Sequence, residues 1–126
     1  MSEPLRGIVL AHADLAAALV GAARSIAGDD TGLTPLSNAG CDRAAIAARL
    51  EAAIGAGPAL IFTDLAGGSC TTVAATVARN RPELRVVAGA NLAMLLEFAF
   101  HRAEPLDAVA ERVAAAGRAA VREVGR

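Results

Sequence analysis

Four short apolar runs, at residues 7–11, 33–36, 59–63 and 85–88, alternate with longer alanine-rich stretches whose apolar residues recur at helical spacing. A run of four or five such residues, bounded by turn formers, reads as a strand buried on both faces. A stretch of ten or more with a period near 3.6 reads as a helix. Strands that alternate with helices join one sheet as parallel neighbours, and the crossovers cover both faces. The pattern predicts one α/β domain over residues 1–126, an open, doubly wound, mostly parallel sheet of about four strands with helices on both faces. A chain of 126 residues is long enough for this, since a domain of that size buries roughly two-thirds of the surface its unfolded chain exposes.

Local punctuation sets the boundaries. Asp14 is placed to cap a helix over residues 15–27, which Gly28-Asp29-Asp30 ends. The run 33–36 contains Pro35, which has no N–H for a ladder, so this strand belongs at an edge. Asp42 opens a helix that runs through Ala56, with Ile46, Leu50 and Ile54 on one stripe and Gly55 and Gly57 closing it. After the strand at 59–63, the turn Ala66-Gly67-Gly68 leads to Ser69 as N-cap of a helix reaching about Arg79. Gly89-Ala90 turns the chain after the fourth strand, and Asn91 caps a helix through Phe100. The last helix is expected from Leu106 to Val124, with its end either helical or an extended tail.

Composition removes several function classes. The formal net charge is −1, Lys is absent, and the Arg residues are scattered. With no basic stripe and only three Phe to stack on bases, nucleic-acid binding has little support. No apolar run is long enough to span a membrane, and Met1-Ser2-Glu3-Pro4 does not resemble a signal peptide. Cys41 and Cys70 form neither a disulfide framework nor a metal-ligand spacing. The expectation is a cytoplasmic protein with reduced thiols and no direct membrane insertion.

The chemistry-bearing residues lie just past two of the strands. His12 follows the first run, and Asp64-Leu65-Ala66-Gly67-Gly68-Ser69 follows the third. Ligands of open α/β sheets bind beyond the carboxyl ends of the strands, where chain order reverses. If the first and third strands are neighbours, side chains from their ends can meet, because adjacent strands lie about 4.8 Å apart. A carboxylate on one imidazole nitrogen fixes the tautomer and stabilises positive charge, which leaves the other nitrogen free to attack phosphorus. Gly67 and Gly68 let backbone approach an anion, and the helix start at Ser69 offers free N–H groups. No metal or cofactor is needed when the donor is already a phosphohistidine.

Singly, each of these residues has an ordinary reading. A histidine after a strand is more often structural, Gly-Gly-Ser is a common loop, and Asp64 alone could be a cap. Cys70, in the first turn of a helix, is either buried and inert or reactive through a lowered pKa. Cys41 and His101 are read as structural.

Three segments together resemble the IIA domain of the mannose-type bacterial sugar phosphotransferase system. They are Gly7-Ile8-Val9-Leu10-Ala11-His12, Thr63-Asp64-Leu65-Ala66-Gly67-Gly68-Ser69, and Gly89-Ala90-Asn91-Leu92-Ala93-Met94-Leu95-Leu96-Glu97. The resemblance implies a doubly wound fold and a phosphotransferase, often dimeric. Such a carrier accepts phosphate from the phosphocarrier HPr and passes it to a IIB component feeding a sugar permease. His12 matches the phosphorylated histidine, Asp64 its orienting carboxylate, and Ser69 the serine at the phosphate-binding helix start. The family pattern has Ser or Thr before the histidine and Gly after it, where this chain has Ala11 and Ala13. It has Pro after Gly-Gly-Ser and Asn two residues beyond that, where this chain has Cys70 and Thr72, and commonly Pro at Ala93.

Two rival functions share the fold. A phospho-aspartate receiver would need an acidic pair after the first strand and a late lysine, and both are missing. A non-catalytic anion-binding or regulatory sensor domain, with His12 merely touching its ligand, is the alternative. The stretch 92–100 is apolar nearly all round, which points to a homodimer, with the tail near Ala120 to Val124 added as an edge strand to the partner.

Overall fold

The computed structural model describes residues 3–125. In chain order the elements are β1 (Arg6–Ala11), α1 (Leu15–Ala27), β2 (Leu33–Ser37), α2 (Arg43–Ile54), β3 (Ala59–Thr63), α3 (Ser69–Ala78), β4 (Leu84–Ala88), α4 (Leu92–Phe100) and α5 (Leu106–Ala120). The strands lie in the order β2-β1-β3-β4, and all three pairings are parallel. The expected open, doubly wound sheet is present, and Pro35 sits on the edge strand β2. Chain order reverses between β1 and β3, so a crevice opens beyond those two strand ends.

Alternation along each strand divides the core in two. Val9, Ala11, Leu60 and Phe62 face α1, α4 and α5. Ile8, Leu10, Ala59 and Ile61 face α2 and α3, where Ile46, Leu50 and Ile54 form the expected stripe. Phe62 and Phe98 meet edge to face with ring centroids 5.5 Å apart, a favoured aromatic geometry. Gly7 makes room for this packing, because a Cβ there would lie 2.9 Å from the Phe98 ring and from Leu33.

Several boundaries differ from the sequence reading. Asp14 occupies the N-cap position of α1 but its side chain makes no cap bond. Its φ of −95° and ψ of 7° lack the extended geometry that capping needs. Asp42 and Asn91 do have that geometry, and they accept from the N–H groups of Ala45 and Met94. α2 stops at Ile54 rather than Ala56 because Gly55 turns at φ 58° and donates its N–H to Glu51. α3 ends at Ala78, and β4 begins one residue early, at Leu84.

The last helix ends at Ala120, not Val124. Val121 is extended, and both Val121 and Val124 are exposed. β-Branched residues with no core to pack against gain little from helix. The apolar surround of α4 is largely accounted for within the chain. Met94, Leu95 and Phe98 are buried, and the helix lies between α1 and α5. Asn91 Nδ2 also donates to the Gly117 carbonyl of α5 at 3.1 Å.

Candidate functional site

Leu10 and Thr63 are register partners in the β1–β3 ladder, so the two chains leave the sheet side by side. His12 and Asp64 meet there. Asp64 Oδ2 accepts the His12 backbone N–H at 3.0 Å and lies 2.8 Å from His12 Nδ1. An ionised carboxylate can only accept, so Nδ1 carries the hydrogen and neutral imidazole keeps its lone pair on Nε2. The His12 side chain is 41% exposed and that of Asp64 only 9%. The nucleophile therefore reaches solvent while its orienting partner is shielded.

Burial opposes the charge on Asp64. The hydrogen bonds from the His12 backbone and ring outweigh it and hold the carboxyl below its ordinary range. Cys70 behaves oppositely. Its burial, and then the negative charge of Asp64, push the thiol up, and a hydrogen bond with Ser69 only partly offsets them. Of the two readings of Cys70, its burial and the direction of this shift favour the buried, inert one. The thiol is fully buried, with Sγ 4.0 Å from His12 Nδ1.

The loop 64–68 delivers the start of α3 to the imidazole. Gly68, not Ser69, holds the N-cap position, and Ser69 is the first helical residue with no cap bond of its own. The Gly68 N–H is used in a turn to Leu65, and the first helical bond runs from Thr72 N–H to the Gly68 carbonyl. The N–H groups of Ser69, Cys70 and Thr71 have no carbonyl partner within the helix, as at any helix start. A Cβ at Gly68 would lie 3.4 Å from His12 Cε1, so the bare backbone passes against the ring. Gly67 has open space around it.

Sequence reasoning missed the braces of this site. Thr63 and Thr71 hydroxyls are 2.6 Å apart, and Thr71 also donates to the Leu65 carbonyl, which pins the loop. On the β1 side, Asn38 Oδ1 accepts the Ala13 N–H at 3.1 Å and the Ser37 hydroxyl donates to the Ala13 carbonyl at 2.7 Å. The findable signal was a Ser-Asn pair just past a strand at the carboxyl edge of the sheet. His101 is not part of the site. It pairs with Glu97 and Glu104 at the end of α4.

Ala13 has φ 50°, the left-handed region that suits glycine. Ala13→Gly should therefore stabilise the fold by about 0.5–1 kcal/mol, the relief of side-chain strain exceeding the added freedom of the unfolded chain. Urea denaturation at neutral pH measures it. A loss of stability would mean that the Asn38 and Ser37 bonds hold this turn without strain.

The family model described as PTS system fructose IIA component, EIIA-man, matches residues 7–116. No curated protein matches the chain. Among solved structures it is similar to the mannose/sorbose specific IIA subunit of the phosphotransferase system from Enterococcus faecalis. The identity is 29% and the TM-score 0.87, with 98% of this chain and 97% of that one covered. Phosphotransferase system component EIIA from Streptococcus agalactiae is 22% identical with a TM-score of 0.87, covering 94% and 96%. A sigma-54 interaction domain protein from Enterococcus faecalis is 14% identical with a TM-score of 0.79, covering 100% and 99%. The last two likenesses concern the fold alone.

Proposed function

Because the chain belongs to the EIIA-man family of phosphotransferase-system IIA components, we propose that it is a phosphohistidine carrier that accepts a phosphoryl group from HPr on His12 and passes it to a IIB component. The observation that carries this reading is the double use of Asp64 Oδ2, which takes the backbone and ring hydrogens of His12 and leaves Nε2 free. In the transfer, the P–N bond of the donor phosphohistidine breaks and a P–N bond to Nε2 forms. The His12 ring keeps its Nδ1 hydrogen and becomes positively charged opposite Asp64. The free N–H groups at the start of α3, with Gly67 and Gly68 leaving space, hold the phosphate oxygens. The step needs no metal.

The carrier serves sugar uptake or its regulation, in the cytoplasm. No helix among the described residues is long and apolar enough to cross a membrane. The test is incubation with phosphorylated HPr in the presence of a chelator. The chain should gain one phosphoryl group, labile to acid and stable to base. A sensor domain that merely binds anions would remain unlabelled, and that outcome would end the carrier reading.

The carrier also works as a homodimer. Among the described residues β4 is an edge strand paired only with β3, and a cavity of ≈ 450 Å³ runs beside it, lined by Val86, Val87, Met94, Ala110, Ala114 and Arg118 among others. The chain leaves α5 extended, with Val121 80% and Val124 87% exposed. A second copy's tail, laid along β4 as an edge strand, fills unused backbone bonds and covers these valines. Light scattering at micromolar concentration should give a dimer mass, and removal of residues 121–126 should give a monomer. A dimer that survives this truncation would exclude the tail as the link.

A further inference from the structure

We infer that His12 Nδ1, Asp64 and Cys70 Sγ together form a regulatory site for a soft divalent cation such as Zn²⁺, whose binding holds His12 in the tautomer that cannot accept a phosphoryl group. The binding half stands on the donors alone, whereas the regulatory half rests on the reading of His12 as the acceptor.

The donor set is one imidazole nitrogen, one carboxylate and one thiol, with ligand atoms all within 4.8 Å of one another. These are the ligand types that zinc takes. Tetrahedral zinc would separate N from S by about 3.5 Å, given its usual bond lengths. The structure has 4.0 Å from Nδ1 to Sγ, so that distance must close by about half an ångström.

A second observation points to a ligand. Asp64 Oδ1 is buried and accepts no hydrogen bond, on a side chain only 9% exposed. A buried acceptor left unpaired is costly, and a cation would satisfy it. The two oxygens divide the work, with Oδ1 taking the metal while Oδ2 keeps the His12 backbone N–H. Three protein ligands leave a fourth position for water. Phosphoryl transfer itself has no use for the thiol, which sits fully buried 4.0 Å from His12 Nδ1.

The consequence follows from proton bookkeeping. The cation takes the place of the hydrogen on Nδ1, and that hydrogen is carried instead by Nε2. Cys70 binds as thiolate and releases one proton to solvent. Nε2–H has no lone pair to offer phosphorus, so the loaded site is closed to HPr. Removal of the metal restores the Nδ1–H to Asp64 bond and reopens it.

Cobalt(II) reports directly on such a site, because a thiolate ligand adds a near-ultraviolet charge-transfer band. Titration of the reduced full chain should show one cobalt bound through sulfur, displaced by zinc, with the band lost in Cys70→Ala and Cys70→Ser. Zinc should slow labelling of the parent chain by phosphorylated HPr at least about ten-fold, while in both variants the ratio of rates with and without zinc stays near one. No band at stoichiometric cobalt, a band that survives both substitutions, or equal slowing of parent and variants would each overturn the site. Cobalt bound through Cys70 in a chain that takes no label even with chelator would uphold the site. It would overturn the acceptor reading and its regulatory consequence.

Discussion

Asp64→Asn should accept a phosphoryl group about 10² to 10⁴ times more slowly than the parent chain, the usual worth of an oriented charged partner. One oxygen of Asp64 takes both His12 hydrogens, so an amide oxygen in that place can keep both bonds. What the amide cannot supply is negative charge as the imidazole becomes cationic. Its NH₂ then falls where Oδ1 lies, buried and without a partner. An orphan costs about 1–3 kcal/mol, but the parent already carries one at Oδ1, so the net loss of stability is smaller than that, unless the amide flips and stabilises the wrong tautomer. Transfer rates from phosphorylated HPr, with urea denaturation alongside, measure both effects. Parent-like rates in a folded Asp64→Asn protein would reduce Asp64 to a structural cap.

The sign of the pH dependence follows from the same bonds. The folded carboxyl titrates below its unfolded value. Its contribution to stability is therefore complete above about pH 4 and is lost as pH falls through the folded value. The stability gap between parent and Asp64→Asn should narrow only in that acid range.

His12→Ala should take up no acid-labile phosphoryl group, the largest effect expected of any single change. The ring is 41% exposed, so its removal opens little cavity. The backbone N–H of residue 12 still has Asp64 Oδ2 as its acceptor, so the strand end should keep its shape. The variant should accordingly fold, and circular dichroism checks that. His101 is the other histidine, but both its ring nitrogens are engaged by carboxylates, Glu97 and Glu104. Label on folded His12→Ala would move the acceptor elsewhere and undo the site. Ser69→Ala should cost far less, because Ser69 makes no cap bond and the N–H groups around it remain.

Local order determined what was legible in advance. Four apolar runs closed by turn formers marked the strands, helical spacing marked the helices, and Pro35 marked an edge. Asp42 and Asn91 were recognisable as caps from their side chains ahead of helical stretches, and they do cap because each sits in extended backbone. Asp14 and Ser69 have the same chemistry and fail to cap. Whether the backbone at such a residue is extended or already helical depends on how the loop is delivered to the helix. The motif around His12 and Asp64 was visible, and the family resemblance it carried is matched by the family model over residues 7–116.

Strand order was decided only by the tertiary structure. It brings together two residues 52 positions apart, and no short-range pattern encodes that distance. The same packing sets Ser37 and Asn38 to hold Ala13 in a left-handed turn, and brings Cys70 Sγ within 4.0 Å of His12 Nδ1. It leaves one oxygen of Asp64 buried without a partner. It also covers most of α4 with α1 and α5, where the sequence alone suggested a surface waiting for another chain. Periodicity reports whether a residue faces a core, because burial of one face repeats along the chain. It is silent on which elements meet across that core, because those contacts are set by packing between segments far apart in sequence.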